Sequence, residues 1–100
     1  MSYIVTDKLV ARGKDAKNAY KNALEISKAW KVEFHKQSSL LKTNKYILLS
    51  KEVFKRPEEA IAHLDNMDLK SKNINPTIAG AFTLTNNKYL FLSFERNHDE

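Results

Sequence analysis

Residues 44–52 read NKYILLSKE and residues 87–95 read NKYLFLSFE, so one phrase occurs twice at a spacing of 43 residues. Six of its nine positions are identical. At the same shift, YIVTDKLV (3–10) aligns with YILLSKEV (46–53), and four of these eight positions are identical. Repetition at a fixed period is typical of a structural unit that is used more than once. The sequence therefore predicts an internal duplication of period 43, in which each copy of the phrase forms a strand.

The segments between the copies carry patterns of their own. Residues 14–28 place apolar side chains at helical spacing with lysines on the other side, which predicts an amphipathic helix. WKVEFHK (30–36) alternates apolar and polar residues, which is typical of a half-buried strand. Pro57 followed by two glutamates predicts the start of a second helix. Asn86 and Asn87 separate two β-rich runs and predict a closing hairpin, because Asn tolerates the positive φ of tight turns.

Together these elements predict an α+β fold, namely a ferredoxin-like two-layer sandwich (βαβ-βαβ-β) in which an antiparallel sheet carries both helices on one face. The last strand extends the sheet. The predicted elements, in chain order, are residues 2–11 (β), 14–28 (α), 29–36 (β), 45–53 (β), 57–67 (α), 80–85 (β) and 88–95 (β). Residues 37–44 either connect two strands, with Leu40 and Leu41 folded back on the core, or continue the preceding strand.

The segment that begins at Lys45 differs from the pattern of one known family and resembles that of another. KYILLSK (45–51) lacks the glycine and two of the aromatics that ferredoxin-like RNA-binding modules carry on that strand, so membership is not predicted. YILLSKEVFKRPEEAIAHLDNM (46–67) resembles the second half of peptidoglycan-binding SPOR domains, where a strand ending in Phe precedes a Glu-Glu-Ala helix. The resemblance covers about a fifth of the chain and lacks the glycines of that pattern. It implies shared architecture rather than kinship.

Length and composition predict one soluble domain that spans residues 1–100. A 100-residue chain with 42% hydrophobic residues can close a modest core without disulfide or metal support. The chain has no cysteine, which excludes thiol catalysis and thiolate metal sites and fits a reducing compartment. MSYIVTDKLVARG, at the start, has no apolar segment of the kind found in signal peptides, and no apolar run approaches the ~20 residues that cross a bilayer. We expect a cytoplasmic protein that does not bind membranes.

Charge is distributed unevenly along the chain. Residues 7–56 contain thirteen Lys or Arg against five Asp or Glu, whereas residues 57–100 contain four against seven. A basic half of this kind indicates a surface for an anionic partner, most commonly nucleic acid. Ordinary solubility is the alternative, and an AT-rich genome would also favour lysine, which outnumbers arginine fourteen to three.

The repeated strand predicts two apolar sets on opposite sides of the sheet. One set contains Ile4, Ile47, Leu49, Leu90 and Leu92, and the other contains Tyr3, Val5, Tyr46, Leu48, Tyr89 and Phe91. If the first set faces the helices, the second forms an open face with tyrosines beside lysines, an arrangement that holds single-stranded nucleic acids. An apolar open face is equally suited to a homodimer or to a protein partner.

These patterns predict a small, non-enzymatic nucleic-acid-binding module. Lysines in loops and at strand ends are expected to contact phosphates, and the lysines of the first helix are more readily explained as a solvated helix face. The predicted nucleic-acid-binding residues are Lys36, Lys42, Lys45, Lys51, Lys55, Arg56, Lys88, Tyr3, Tyr46 and Tyr89. The alternative is an inhibitor or regulator of phage or mobile-element type that binds an anionic protein surface through the same apolar face.

Catalytic and metal-binding patterns are weak in this sequence. His35, His63 and His98 lie on separate predicted elements, without metal-ligand spacing. Two glycines are too few for a phosphate-binding loop. Glu58 and Glu59 fit the first turn of a helix better than a general acid–base pair. We therefore expect no cofactor, no metal and no catalytic residue, although small ribonucleases without a motif remain an alternative.

Overall fold

A computed structural model of the chain describes residues 3–35, 38–67 and 74–96. These described residues form an α+β fold with one four-stranded sheet and two α-helices. The elements, in chain order, are β1 (Tyr3–Arg12), α1 (Ala16–Phe34), a 3₁₀ helix (Ser39–Lys42), β2 (Lys45–Phe54), α2 (Pro57–Leu64), β3 (Ile78–Leu84) and β4 (Lys88–Arg96).

The sheet is mixed, with strand order β1-β4-β3-β2. β4 pairs antiparallel with both β1 and β3, and β2 pairs parallel with β3. The prediction of an antiparallel sheet is therefore wrong at the β2–β3 pair. The physical reason is the connection: β2, α2 and β3 form a crossover unit, and a crossover places adjacent strands parallel. The second predicted βαβ unit is thus present in the structure.

The two helices lie on opposite faces of this sheet, so the prediction of both helices on one face is wrong. Ala19, Tyr20 and Ala23 of α1 pack with Phe91 of β4, and we call this side the α1 face. On the other side, which we call the α2 face, α2 packs against the side chains of β3 and β4 that point away from α1. Its buried residues include Ala60, Leu64, Phe82, Leu84, Leu90, Leu92 and Phe94. Both faces of the central strands are therefore buried.

The predicted strand at residues 29–36 is wrong, because α1 continues through this segment to Phe34. The side chains of Ile26 and Trp30 are partly buried at helical spacing beyond Ala23, whereas Val32 is 77% exposed. Once a helix is nucleated, each further residue adds a hydrogen bond at little cost, which favours continuation over a new strand. The first βαβ unit is consequently not formed with a second strand at residues 29–36, because the strand that follows α1 is β2. The element order is β-α-β-α-β-β, and the ferredoxin-like arrangement is not confirmed.

All three copies of the repeated phrase form strands, and their side chains follow the predicted alternation in two of them. Ile47 and Leu90 pack on the α2 face, while Tyr46 and Tyr89 pack on the α1 face. The first copy is out of phase, since Val5 packs with the α2-face residues. A β-bulge is the reason: Val5 pairs with Phe94 and Asp7 with Ser93, so one extra residue of β1 reverses the alternation.

The C-terminus of α1 provides a test of the helix at residues 29–34. His35 ends the helix with a positive φ of 53°, and its backbone N–H donates to the carbonyl of Trp30. Glycine adopts this conformation without steric cost. We expect His35→Gly to raise the free energy of unfolding by roughly 0.5–1 kcal/mol, as measured by urea denaturation.

Ala29→Gly is the matched control, because Ala29 is exposed in the same segment. It should lower the free energy of unfolding by about 1 kcal/mol, the usual cost of glycine inside a helix. If both glycines destabilised the protein, a strand would describe residues 29–36 better than a helix.

Candidate nucleic-acid interface

The two helices differ in charge, and they lie on opposite faces of the sheet. The exposed side of α1 carries Lys17, Lys21, Lys28 and Lys31, which we call the lysine stripe. Residues 57–67, which include α2, contain two glutamates and one aspartate, all exposed, and no lysine or arginine. Because the two helices lie on opposite faces, the lysine stripe and the acids of residues 57–67 lie on opposite sides of the sheet, and the exposed cations Lys55 and Arg56 directly precede α2.

The lysine stripe owes its orientation to the small and aromatic residues on the other side of α1. Ala19 and Ala23 are fully buried against the sheet, and Tyr20 is 8% exposed. The Oη of Tyr20 and the Oγ1 of Thr43 form a buried hydrogen bond of 2.6 Å, which ties α1 to the segment before β2. From Lys17 to Lys31 the stripe covers about 21 Å at 1.5 Å per residue.

The lysines of the stripe have few acidic neighbours. Lys28 pairs with Glu25 at 3.7 Å, and both side chains are 64% exposed. Within the described residues, Lys17, Lys21 and Lys31 have no ion pair. An exposed pair of this kind contributes little to stability, so Lys28 too remains available to an anionic ligand.

Asp15 caps the start of α1. Its Oδ1 accepts hydrogen bonds of 2.8 Å from the backbone N–H and from the side-chain amide of Asn18. These two bonds, and to a lesser extent the charges of Lys14 and Lys17, hold the pKa of Asp15 below its ordinary value of 3.8. The cap fixes the first turn of the helix and therefore the position at which the lysine stripe begins.

The lysines predicted from loops and strand ends are not brought together in one place. Lys45 begins β2 opposite Ile78, whereas Lys88 begins β4 opposite Leu84 at the other end of the sheet. The seven residues of β3 separate these two levels by about 20 Å. Lys42 lies near the Lys45 end, and Lys55 and Arg56 follow β2 at the Lys88 end.

Two of the predicted lysines have particular surroundings, and one cannot be placed. The Nζ of Lys42 lies 3.5 Å from Glu95, within an exposed ion pair. Lys51 is exposed on β2, an edge strand of the sheet. Lys36 lies outside the described residues.

The predicted open tyrosine face is covered over most of its area. Tyr46 is partly buried, and its ring centroid lies 5.1 Å from that of Tyr20 in α1. Tyr89 is also partly buried, and its ring stacks on Phe91 with centroids 6.4 Å apart. Tyr3 begins β1, but its side chain lies outside the described part of the chain. The expectation of a fully open face is therefore wrong.

One corner of the α1 face is left uncovered, beside the edge strand β2. Leu48 is 51% exposed and Val53 is 60% exposed, and Thr83 between β2 and β4 is half-buried. We call these three residues the open corner. A groove of about 410 Å³ lies here and is lined by Leu48, Leu49, Ser50, Lys51 and Thr83. The sequence did not indicate this groove, because it depends on how far α1 reaches across the sheet.

A second, polar groove of about 350 Å³ lies at the other end of the sheet, lined by Thr6, Asp7, Ser38, Ser39, Lys42 and Glu95. Its groups mostly bond to one another. The backbone N–H of Ser39 donates to Asp7 at 2.9 Å, and the hydroxyls of Thr6, Ser39 and Ser93 form a connected set. This network anchors the 3₁₀ helix to β1 and β4, which gives these residues a structural role.

Groups suited to metal binding or membrane insertion were not found in the described ranges. Residues 3–35, 38–67 and 74–96 contain no cluster of three or more His, Cys, Asp or Glu side chains that could hold a metal. In those same ranges, no helix is long and apolar enough to cross a membrane. His63 lies 3.9 Å from Glu52 and packs near Phe54 and Phe82, away from the lysine stripe.

The chain matches no protein-family model, no curated protein and no solved structure at a significant level. The candidate interface is therefore defined by the geometry and charge of the molecule itself.

The cap of α1 predicts a pH-dependent contribution to stability. Since the pKa of Asp15 is lowered in the folded protein, the ionised cap stabilises the fold above pH 3.8, and this contribution is lost as the pH falls through the lowered pKa. Asp15→Ala should lower the melting temperature at neutral pH. The difference from the unmodified protein should shrink as the pH is lowered below 3.8.

Thermal denaturation followed by circular dichroism over a pH series measures this difference. Glu33→Ala serves as the control, because Glu33 is an exposed acid near the opposite end of the same helix. A difference between Asp15→Ala and the unmodified protein that stayed constant down to strongly acid pH would contradict the role given to the ionised cap.

Proposed function

We propose that the protein is a non-enzymatic nucleic-acid-binding module that holds backbone phosphates with the lysine stripe of α1. The observation that carries this proposal is the separation of charge between the two faces. A ligand with a regular array of negative charges is attracted to the α1 side and repelled from the α2 side, so the charge pattern selects an orientation as well as a partner.

The spacing of the lysines supports an extended anionic ligand rather than a small one. Lys17 and Lys21 are one turn apart, and Lys28 and Lys31 continue the same side of the helix towards its C-terminus. Point charges spread over about 21 Å cannot converge on a single phosphate, whereas a polynucleotide offers a phosphate to each of them.

The other predicted lysines take a secondary part in this proposal. Lys55, Arg56 and Lys88 lie at the end of the sheet where α1 begins, and Arg12 pairs directly with Lys88 across β1 and β4. Neighbouring like charges raise the local positive potential. These groups would strengthen attraction to the N-terminal end of the lysine stripe, while Lys42 and Lys45 lie at the opposite end of the sheet.

Two further proposals concern origin and location. We infer that the repeat of period 43 arose by internal duplication of a strand–helix unit. Support comes from the order of the elements, since β1 and β2 are each followed by a helix and all three copies are strands. We also propose a cytoplasmic location, which the lack of cysteine in all 100 residues fits.

A pair of charge-matched variants tests which lysines hold phosphate. K17E/K21E/K28E, the stripe variant, reverses three charges of the lysine stripe. K42E/K45E/K55E, the loop variant, reverses three of the lysines that were predicted from loops and strand ends. The stripe variant should lose at least about tenfold in affinity for a short oligonucleotide at low salt, and its log–log salt slope should fall by about 2. The loop variant should lose less on both measures.

Fluorescence anisotropy at several salt concentrations provides both readouts, and circular dichroism checks that each variant is folded. Both variants have the same net charge, so an equal loss in the two would show attraction by overall charge without a defined interface. If the unmodified protein bound no oligonucleotide at low salt, the proposed function would be wrong, and an acidic protein surface would be the next ligand to test.

A further inference from the structure

We propose that the open corner receives an unpaired nucleobase, so that the protein binds single-stranded nucleic acid in preference to duplex. This inference rests on the proposed function, because the lysine stripe has to hold the strand whose base enters the corner. It adds a second kind of contact, apolar and uncharged, to the phosphate contacts.

The open corner exists because α1 packs over one half of the sheet. The helix contacts β1 and β4, and on the β2 side it reaches Tyr46 through Tyr20. Further along β2, Leu48 lies opposite the fully buried Ala81, and Val53 lies opposite Thr83. On the α1 face of β2, the exposed fraction of the side chains therefore increases from Tyr46 to Val53, away from the part that α1 covers.

A break in the pairing of β2 with β3 deepens this corner into a groove. Between the Leu48–Ala81 and Val53–Thr83 pairs, β3 has one residue, Phe82, whereas β2 has four. The extra residues turn locally, with the backbone N–H of Glu52 donating to the Ser50 hydroxyl at 3.1 Å. The ladder is interrupted here, and Ser50 and Thr83 line the groove together with Leu48 and Leu49.

The chemistry of this groove fits a nucleobase. A base has flat apolar faces and a polar edge, and its binding to sequence-tolerant proteins is dominated by stacking and apolar contact. Leu48 lines the groove and the exposed Val53 lies beside it, opposite Thr83, so both offer apolar area, and the Ser50 and Thr83 hydroxyls offer donors and acceptors for the edge. Tyr89 pairs with Thr83 and borders the corner with a partly exposed ring.

The lysine stripe lies on the side of α1 that faces this corner. Tyr20 contacts Tyr46 of β2, so its flank of the helix is directed towards β2. Lys17 and Leu24 are neighbours of Tyr20 on the helix surface, at three and four residues, and the other lysines of the stripe continue from this flank. A strand whose phosphates contact these lysines would present its bases to the open corner.

Charge around the corner agrees with this ligand. Lys51 lines the groove itself. The nearest acid along the chain, Glu52, has its carboxylate 3.9 Å from His63 of α2, which directs it to the opposite face of the sheet. A phosphodiester beside the corner would therefore meet cations on the α1 face.

Duplex nucleic acid cannot make the same contact, because its bases are paired and stacked inside the helix. Phosphate contacts alone would serve single strands and duplex alike. A preference for single strands is thus the property that separates this inference from the proposed function.

The test compares two strands of equal length and equal phosphate number, a short oligothymidine and its abasic analogue, with a matched duplex as the third probe. The unmodified protein should bind oligothymidine at least about fivefold more tightly than the abasic strand. L48A/V53T should remove this difference while leaving affinity for the abasic strand unchanged. Both positions are exposed, so the variant is expected to fold.

Val10→Thr is the matched control, because Val10 is 37% exposed on the other edge strand, β1. It should keep the full preference for oligothymidine. Circular dichroism and the melting temperature of each variant confirm that the fold is retained.

The outcomes separate the two claims. Equal binding of oligothymidine, abasic strand and duplex would overturn the base-binding inference and leave phosphate binding by the lysine stripe intact. A preference for oligothymidine that survived in L48A/V53T would also overturn it, because the bases would then bind elsewhere. No binding of any probe at low salt would overturn the proposed function and the inference together.

Discussion

The handedness of parallel crossovers is the constraint on which the rest of this structure depends. β1, β2 and β3 are mutually parallel, with β1 and β2 at opposite edges of the sheet. The chain crosses from β1 to β2 through α1 and returns from β2 to β3 through α2. Two crossovers that move in opposite directions can have the same hand only on opposite faces, and nearly all such crossovers are right-handed. The separation of basic α1 from acidic α2 is therefore a consequence of topology.

β4 makes this arrangement stable because it buries both of its sides. Leu90, Leu92 and Phe94 are at most 1% exposed on the α2 face, and Phe91 is fully buried on the α1 face. A strand that is buried on both faces reads as a continuous apolar run, and this is how YLFLSF differs from the repeated phrase in β2. The polar residues of KYILLSKE fit an edge strand with one side towards solvent. The apolar residues of the copy in β4 and the polar residues of the copy in β2 therefore follow from a central and an edge position in the sheet.

Much of the secondary structure could be predicted from local patterns. The helix starts predicted at residues 14 and 57 lie within two residues of the observed ones, and the hairpin at Asn86–Asn87 was correct, because capping residues, proline and positive-φ turns act locally. Leu40 is fully buried, as expected of the connection before β2. The failure at residues 29–36 has a clear cause. Residues at i and i+4 match a helix and a strand equally, and continuity with α1 decided between them.

Strand order and face could not be predicted, because they depend on long-range pairing. The repeat aligns the three strands in sequence, but it does not predict that β4 pairs with β1. It also does not predict the bulge after Val5, which reverses the alternation of side chains in β1. The same limit applies to the candidate interface. The lysines of α1 were visible in the sequence as a helical stripe, but they look like any solvated helix face until the acids of α2 are found on the opposite side. Lys45 and Lys55 are close in sequence, yet they lie at opposite ends of β2, about 20 Å apart along the strands.

The residues that close the core also determine which surface stays open. Ala19 and Ala23 are fully buried, and side chains this small bring α1 close to β1 and β4. A helix held so near β1 and β4 leaves most of β2 uncovered, and the ring of Tyr20 extends across to Tyr46 of that strand. Larger residues at positions 19 and 23 would push α1 outwards and tilt the lysine stripe relative to the open corner. The spacing between the lysine stripe of α1 and the groove in β2 is therefore set by buried alanines, so core packing determines the geometry of the proposed interface.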